Sequence, residues 1–262
     1  MTRPTPLDTA HALMDAAPQD ATARLRFYER LADCELFLLL QGAAVGDSLS
    51  PEVFEVEGAK YVLVFDREER LAEFVEGSAH HAALSGRVVA KMLAGQGIGL
   101  GLNLGVAPSS ILLPADALGW LAEMLDNAPD EVMAQPTSFE APKGVSEALL
   151  TAIDTKLATA AGLADAAYLV AVEYADDRRG LMLAIIDALP AAQGALAKAV
   201  GEVVMFGAPE DDGLDVAFFS APDPVCATLA KVGLRFDLPK REVEAHRPVA
   251  PGRDPNCPPI LR

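Results

Sequence analysis

The apolar positions of this chain change period several times, and each change predicts an element. Residues 7–17 carry a helical pattern that Pro18 ends. Asp20 is a natural N-cap, and Leu25, Tyr28 and Leu31 then recur at helical spacing. Residues 35–40 form a short apolar run suited to a buried strand. Val53–Val56 and residues 60–65 read as a hairpin around Glu57, Gly58 and Ala59. Within it, Tyr61 to Phe65 is apolar at every position, which predicts a central strand covered on both faces. Asp66 is expected to cap a helix that turns Leu71, Phe74 and Val75 inward, and residues 88–93 predict another, closed by Gly95. The glycine-studded segment 95–105 leads into a strand, Ile111–Leu113 into a strand end, and Pro114 into a helix with Leu118, Leu121 and Leu125 on its stripe and Trp120 alongside.

Residues 127–142 hold Pro129, Pro136 and Pro142 with little periodicity, and predict a linker. Beyond them Val145, Leu149, Ile153 and Leu157 step by four along a helix. Tyr168, Val170, Val172 and Tyr174 alternate as in a strand, and a turn at 175–180 leads to the apolar run 181–186. A helix over 191–203, a strand through Leu214, Val216 and Phe218, and a helix over 222–232 complete the block. The fold class is therefore α+β, with two α/β-type domains, 1–126 and 143–236, each a mixed sheet covered by helices with its own core. In the second, the helices are expected on one face of the sheet. Residues 237–262 form a Pro-rich extended tail with a basic excess.

Charge and cysteine content narrow the setting. The 262 residues carry a formal net charge of −17 and no dense basic patch, so neither nucleic acid nor an anionic membrane is an expected partner. The densest basic cluster, Arg178 and Arg179, sits in a hairpin turn beside Asp176 and Asp177. No apolar run approaches the length of about 18 residues that marks a membrane span, and the start lacks the pattern of a secretory signal. Cys34, Cys226 and Cys257 form no CxxC pair, which points to the cytoplasm. Cys34 and Cys226 lie in apolar settings and read as core residues, whereas Cys257 belongs to the tail.

Candidate chemistry is sparse. A dinucleotide fingerprint needs G-x-G-x-x-G after a strand and before a helix. The three registers starting at Gly95, Gly97 and Gly99 fail at Leu100, Leu102 and Leu104. Glycines in a strand instead admit the close approach of another backbone. Gly99, Gly101, Asn103, Ser109 and Ser110 remain the candidates for contact with a ligand at the strand end, although short polar residues there also form turns. His80 and His81 are adjacent, which is poor geometry for one metal, and are expected in a surface loop. No catalytic set, metal site or cofactor is expected.

Three stretches of the first block resemble the SseB N-terminal domain, named for enhanced serine sensitivity. They are Arg26-Phe27-Tyr28 in the early helix, the strand 61–66 leading into the helix 67–74, and Gly99-Leu100-Gly101-Leu102-Asn103 before the Leu113-Pro114 helix start. Where the family commonly has Asn-Pro, Leu104 follows Asn103 here. The second block resembles the SseB C-terminal domain in its order of helix, paired strands, helix and strand. The resemblance implies a bacterial cytoplasmic protein with no catalytic residue set to carry over. The expected function is that of a non-catalytic regulator or adaptor binding a protein partner or small metabolite in a cleft where the blocks meet. Two alternatives stand beside it: an enzyme acting on an amino acid or derivative near Asn103 and Ser109, and a self-associating scaffold.

Overall fold

Local signals start the first helices. In the computed structural model, which describes residues 3–43, 48–126, 135–207 and 213–240, Thr5 and Asp8 form a reciprocal capping box at the head of α1 (Pro6–Ala16). Asp20 accepts hydrogen bonds from the backbone N–H groups of Thr22 and Ala23 and so opens α2 (Ala21–Asp33). The hairpin of β2 (Val53–Val56) and β3 (Ala59–Phe65) turns through Glu57 and Gly58, both left-handed with φ of 52° and 81°. That is the geometry that matches the twist of the flanking strands.

β1 (Glu35–Leu39), α3 (Glu68–Phe74), β4 (His81–Ser85), α4 (Gly86–Leu93), β5 (Ile98–Leu102), β6 (Ile111–Leu113) and α5 (Ala115–Asp126) complete the first block. Its sheet runs β4-β1-β3-β5-β6, with β2 pairing the first half of β3. Side-chain alternation splits the sheet cleanly. Leu36, Leu38, Val62, Val64, Leu100 and Leu102 join Phe27 of α2, Val89 of α4 and Leu121 of α5 in the main core. Leu39, Leu63 and Phe65 face the other way, against Leu71 of α3.

The glycines of β5 lie on this second face for a steric reason. A Cβ on Gly99 would stand 2.6 Å from the Leu113 carbonyl oxygen and from the Tyr61 ring. One on Gly101 would meet only the tips of Leu63 and Leu104, at 2.7 and 2.9 Å. Gly99→Ala should therefore cost about 1–3 kcal/mol, as overpacking against backbone does, and Gly101→Ala less. Urea midpoints of the two variants check this order.

Two expectations for this block are corrected. Asp66 does not cap α3, whose N-cap is Arg67. The Asp66 carboxylate is instead taken by the Thr5 hydroxyl and by Arg70, each at 2.6 Å. His81 is not in a loop but opens β4, opposite Leu39, with its ring against Phe37. β4 runs straight into α4, because a Cβ on Gly86 would lie 1.7 Å from the Leu31 carbonyl oxygen and glycine alone permits that approach.

The second block contains β7 (Pro136–Glu140), α6 (Glu147–Ala158), β8 (Ala166–Tyr174), β9 (Arg179–Ile186), α7 (Gln193–Glu202), β10 (Leu214–Phe219), α8 (Pro224–Val232) and β11 (Leu234–Asp237). A 3₁₀ turn precedes α7 and a π-helical turn, Val203–Gly207, follows it. The sheet order is β10-β9-β8-β11, with β7 also on β8 and β10 parallel to β9. Pro136–Glu140 falls in the expected linker but joins the sheet, since its Phe139 packs beside Tyr174 and Val172. Helices lie on both faces rather than one. Leu169, Leu183 and Ile185 face α6 and α7, whereas Val170, Met182 and Ala184 face Leu229 of α8. Leu238, expected in the tail, is buried in the α6–α7 layer. Residues 241–262, with Cys257, lie outside the described part.

Candidate functional site

Two buried polar clusters are built where elements converge. The first joins the start of α1 to the ends of β3 and β5. Asp8 accepts hydrogen bonds from both terminal guanidinium nitrogens of Arg70 (3.1 and 2.5 Å), from the Ser109 hydroxyl (2.6 Å) and from the Thr5 N–H (2.9 Å). Asn103 stands at the end of β5 in a left-handed conformation, φ 48°, which asparagine tolerates. Its Nδ2 donates to Ser109 Oγ (2.8 Å), and its Oδ1 accepts from the Asp66 N–H (3.1 Å). Burial alone raises the Asp8 pKa. The hydrogen bonds from Arg70, Ser109 and Thr5, with the Arg70 charge, outweigh it and hold the carboxyl well below the usual range.

The second cluster lies where the two blocks meet. Lys156 of α6 is 7% exposed, and its Nζ reaches Asp33 at 2.7 Å, Glu202 at 2.9 Å and Glu29 at 3.6 Å. Arg87 of α4 grips Glu202 through two nitrogens, at 3.0 and 3.1 Å, and Asp33 at 2.6 Å. Three carboxylates thus face two cations, supplied by α2 and α4 from one side and by α6 and α7 from the other. Burial disfavours the Lys156 charge, yet Asp33 and Glu202 more than offset it and raise its pKa. For Asp33 and Glu202, burial is outweighed by Lys156 and Arg87, and both are lowered. For Glu29 burial dominates, and the carboxyl is raised despite Lys156.

Beside this cluster the π-helical turn crosses from one core to the other. Val203 belongs to the second block's core, whereas Phe206 is fully buried among the first block's residues, edge-on to Trp120 at 6.4 Å. Tyr28 and Phe27 continue the edge-to-face series at 5.2 and 5.6 Å. The junction is thus filled with side chains where a cleft was expected, and the first core is completed by the second block.

Comparison with known proteins bears on the first block. The model of the family described as SseB protein N-terminal domain matches residues 10–120. This stretch is similar to the SseB N-terminal domain. No curated protein and no solved structure matches the chain.

The match takes in β1 to β6, so the Asn103–Ser109 pair and three members of the junction cluster, Glu29, Asp33 and Arg87, lie inside the matched stretch. Of the ligand candidates read from sequence, Asn103 and Ser109 come together, but within the buried network. Gly99 and Gly101 are backbone neighbours of Tyr61 and Leu63 in the sheet. Ser110 is exposed and accepts from the Gly105 N–H at 3.2 Å, closing the loop. Cys34 is half-buried at the end of α2, and desolvation, helped by the Asp66 charge, pushes its thiol up to about 12. Arg178 and Arg179 are each ion-paired, with Asp215 and Glu173.

Sequence reasoning missed the junction charges, although a signal was present. Lys156 lies three residues after Ile153 and seven after Leu149, on the apolar stripe of α6, and Glu29 lies four after Leu25 on that of α2. A charge on an inward stripe is a buried charge in want of a partner.

Proposed function

We propose that this chain is a non-catalytic adaptor or regulatory protein of the SseB type, acting in the bacterial cytoplasm, and that its second block is the SseB C-terminal domain. One observation carries the reading: among the described residues, the charged and polar side chains of both buried clusters are spent on one another. The Lys156 ammonium is held charged by carboxylates, which removes it as a nucleophile. The carboxylate beside Ser109 is committed to Arg70 and is a weak base. The Cys34 thiol is held protonated. The outer surface of the two-block body suits recognition of a protein partner.

Affinity capture with the full chain from its host's lysate, paired with a thermal-shift screen of metabolites, tests this. A partner that survives stringent washing and co-sediments with purified protein is the expected result. Loss of every candidate on washing, with no metabolite raising the melting temperature, counts against the proposal.

A further inference from the structure

α1 is a peripheral helix fastened at one end. Of its eleven residues only Leu7, Asp8 and Ala10 are buried, and Leu13 on its outer side is 56% exposed. It packs chiefly on α2, and Pro18, Gln19 and Asp20 in the short link between the two helices are exposed. The fastening itself is polar. The Thr5 hydroxyl donates to Asp66, the Asp8 carboxylate accepts from Arg70 and Ser109, and the Arg67 guanidinium donates to the Arg3 carbonyl at 3.0 Å.

The receiving half of this contact is held together without α1. Arg70 is paired with Asp66 at 2.6 Å, and Asn103 binds both the Ser109 hydroxyl and the Asp66 N–H. Once Asp8 leaves, two terminal nitrogens of Arg70 and the hydroxyl of Ser109 still converge on the place of one carboxylate. Asp66 Oδ2, which takes the Thr5 hydroxyl, is left with room for one donor. The side chains of Arg70 and Asp66 are buried, and a guanidinium fork in such a setting is matched to a carboxylate. These groups stand at the carboxyl ends of β3 and β5, which run parallel. Open α/β sheets take their ligands outside such strand ends.

We propose that α1 is an intramolecular ligand: Thr5 and Asp8 occupy a small-molecule site at the ends of β3 and β5, and a small carboxylic acid with a neighbouring ammonium or hydroxyl group displaces them. Its carboxylate replaces that of Asp8 on Arg70 and Ser109. Its donor replaces the Thr5 hydroxyl on Asp66. A plain carboxylate fills only half of the site and leaves a buried oxygen of Asp66 short of a partner, which weakens it. Displacement releases α1 about its link to α2 and so turns binding into a change of shape. The inference goes beyond the adaptor reading and does not depend on it.

Native-state hydrogen exchange on the full chain tests it, with glycine, glycolate, acetate or methylamine added at matched ionic strength. Amides of α1 should exchange faster in glycine or glycolate, while those of α2 and β3 do not. Acetate should act more weakly, and methylamine not at all. The double variant Thr5→Ala, Asp8→Ala removes the internal competitor, so calorimetry should give it a glycine Kd about tenfold or more below that of the wild type. Adding Arg70→Lys, which offers no fork, should reverse that gain. Exchange of α1 in the wild type that ignores all four compounds overturns the proposal, whether or not the double variant folds. So does a folded double variant that binds glycine no more tightly than the wild type, since Thr5 and Asp8 then fasten α1 without occupying a site.

Discussion

Phe206→Ala should cost about 3–5 kcal/mol of folding stability, the range for removing a buried phenylalanine that its surroundings cannot replace. The side chain is fully buried, yet it belongs to a turn of the second block and fills the core of the first. Its neighbours cannot close in easily: Trp120 is also held edge-on by Tyr28, and Gly207 leaves no slack against Ala152, where a Cβ would come within 2.6 Å. The lost energy is therefore largely that of a cavity. Trp120 is the chain's single tryptophan, so its fluorescence reports the contact directly. Guanidinium unfolding followed by this signal and by circular dichroism should give one coincident transition in the wild type. In the variant the transition should move to lower denaturant, and the fluorescence change should lead. A loss below about 1 kcal/mol would mean that the two cores are independent and that Phe206 merely covers a surface.

That dependence between blocks was the part of the fold least legible in the sequence. Elements with strong local signals were readable. The capped start of α2, the Glu57-Gly58 turn and the apolar run of β3 each carry their own instruction within a few residues. β4 was not readable, because His81 to Ser85 acquires its strand character from pairing with β1, and its link to α4 depends on a glycine fitted to a carbonyl of α2. β7 and β11 were hidden for the same reason. Five and four residues long, they are too short for a period to emerge, and each is recruited by the free edge of β8. The face taken by α8 is likewise a tertiary matter, since Val225 and Leu229 would suit either side of the sheet.

The candidate site divides along the same line. The sequence drew attention to Asn103 and Ser109 as short polar residues at a strand end, and the structure does bring them together. It could not disclose that Asp8, about a hundred positions away in sequence, accepts the Ser109 hydroxyl hydrogen. The glycines of β5 were legible as sites of close approach, which the contact of Gly99 with the Leu113 carbonyl bears out. The junction charges were visible only as misfits on apolar stripes, because Lys156 and Asp33 are separated by 123 positions.

Lys156→Met should also cost about 3–5 kcal/mol at neutral pH, as breaking a buried ionic cluster by removing one partner does. Methionine nearly matches the volume of the lysine stem, so the loss is electrostatic. Glu29, Asp33 and Glu202 would remain buried with Arg87 alone to balance them. The pH dependence separates this from a packing defect. In the wild type, Asp33 and Glu202 are lowered on folding. Their contribution is complete above the carboxylate values of the unfolded chain and is lost as pH falls through the lower, folded values. Glu29 is raised, so it acts in the opposite direction and favours the folded state as pH falls through its raised value. Removing Lys156 moves all three carboxylates upward, so taking up protons costs the variant less than it costs the wild type. The deficit of the variant should therefore be largest at neutral pH and shrink in mild acid. Adding Glu29→Gln to Lys156→Met should recover part of the loss by removing the charge that burial already opposes. Urea unfolding at the two pH values, on the single and double variants, measures both effects. A deficit that is constant or grows on acidification, with no recovery in the double variant, would show that Lys156 acts by packing its stem between α2 and α7 and that the charges are balanced without it.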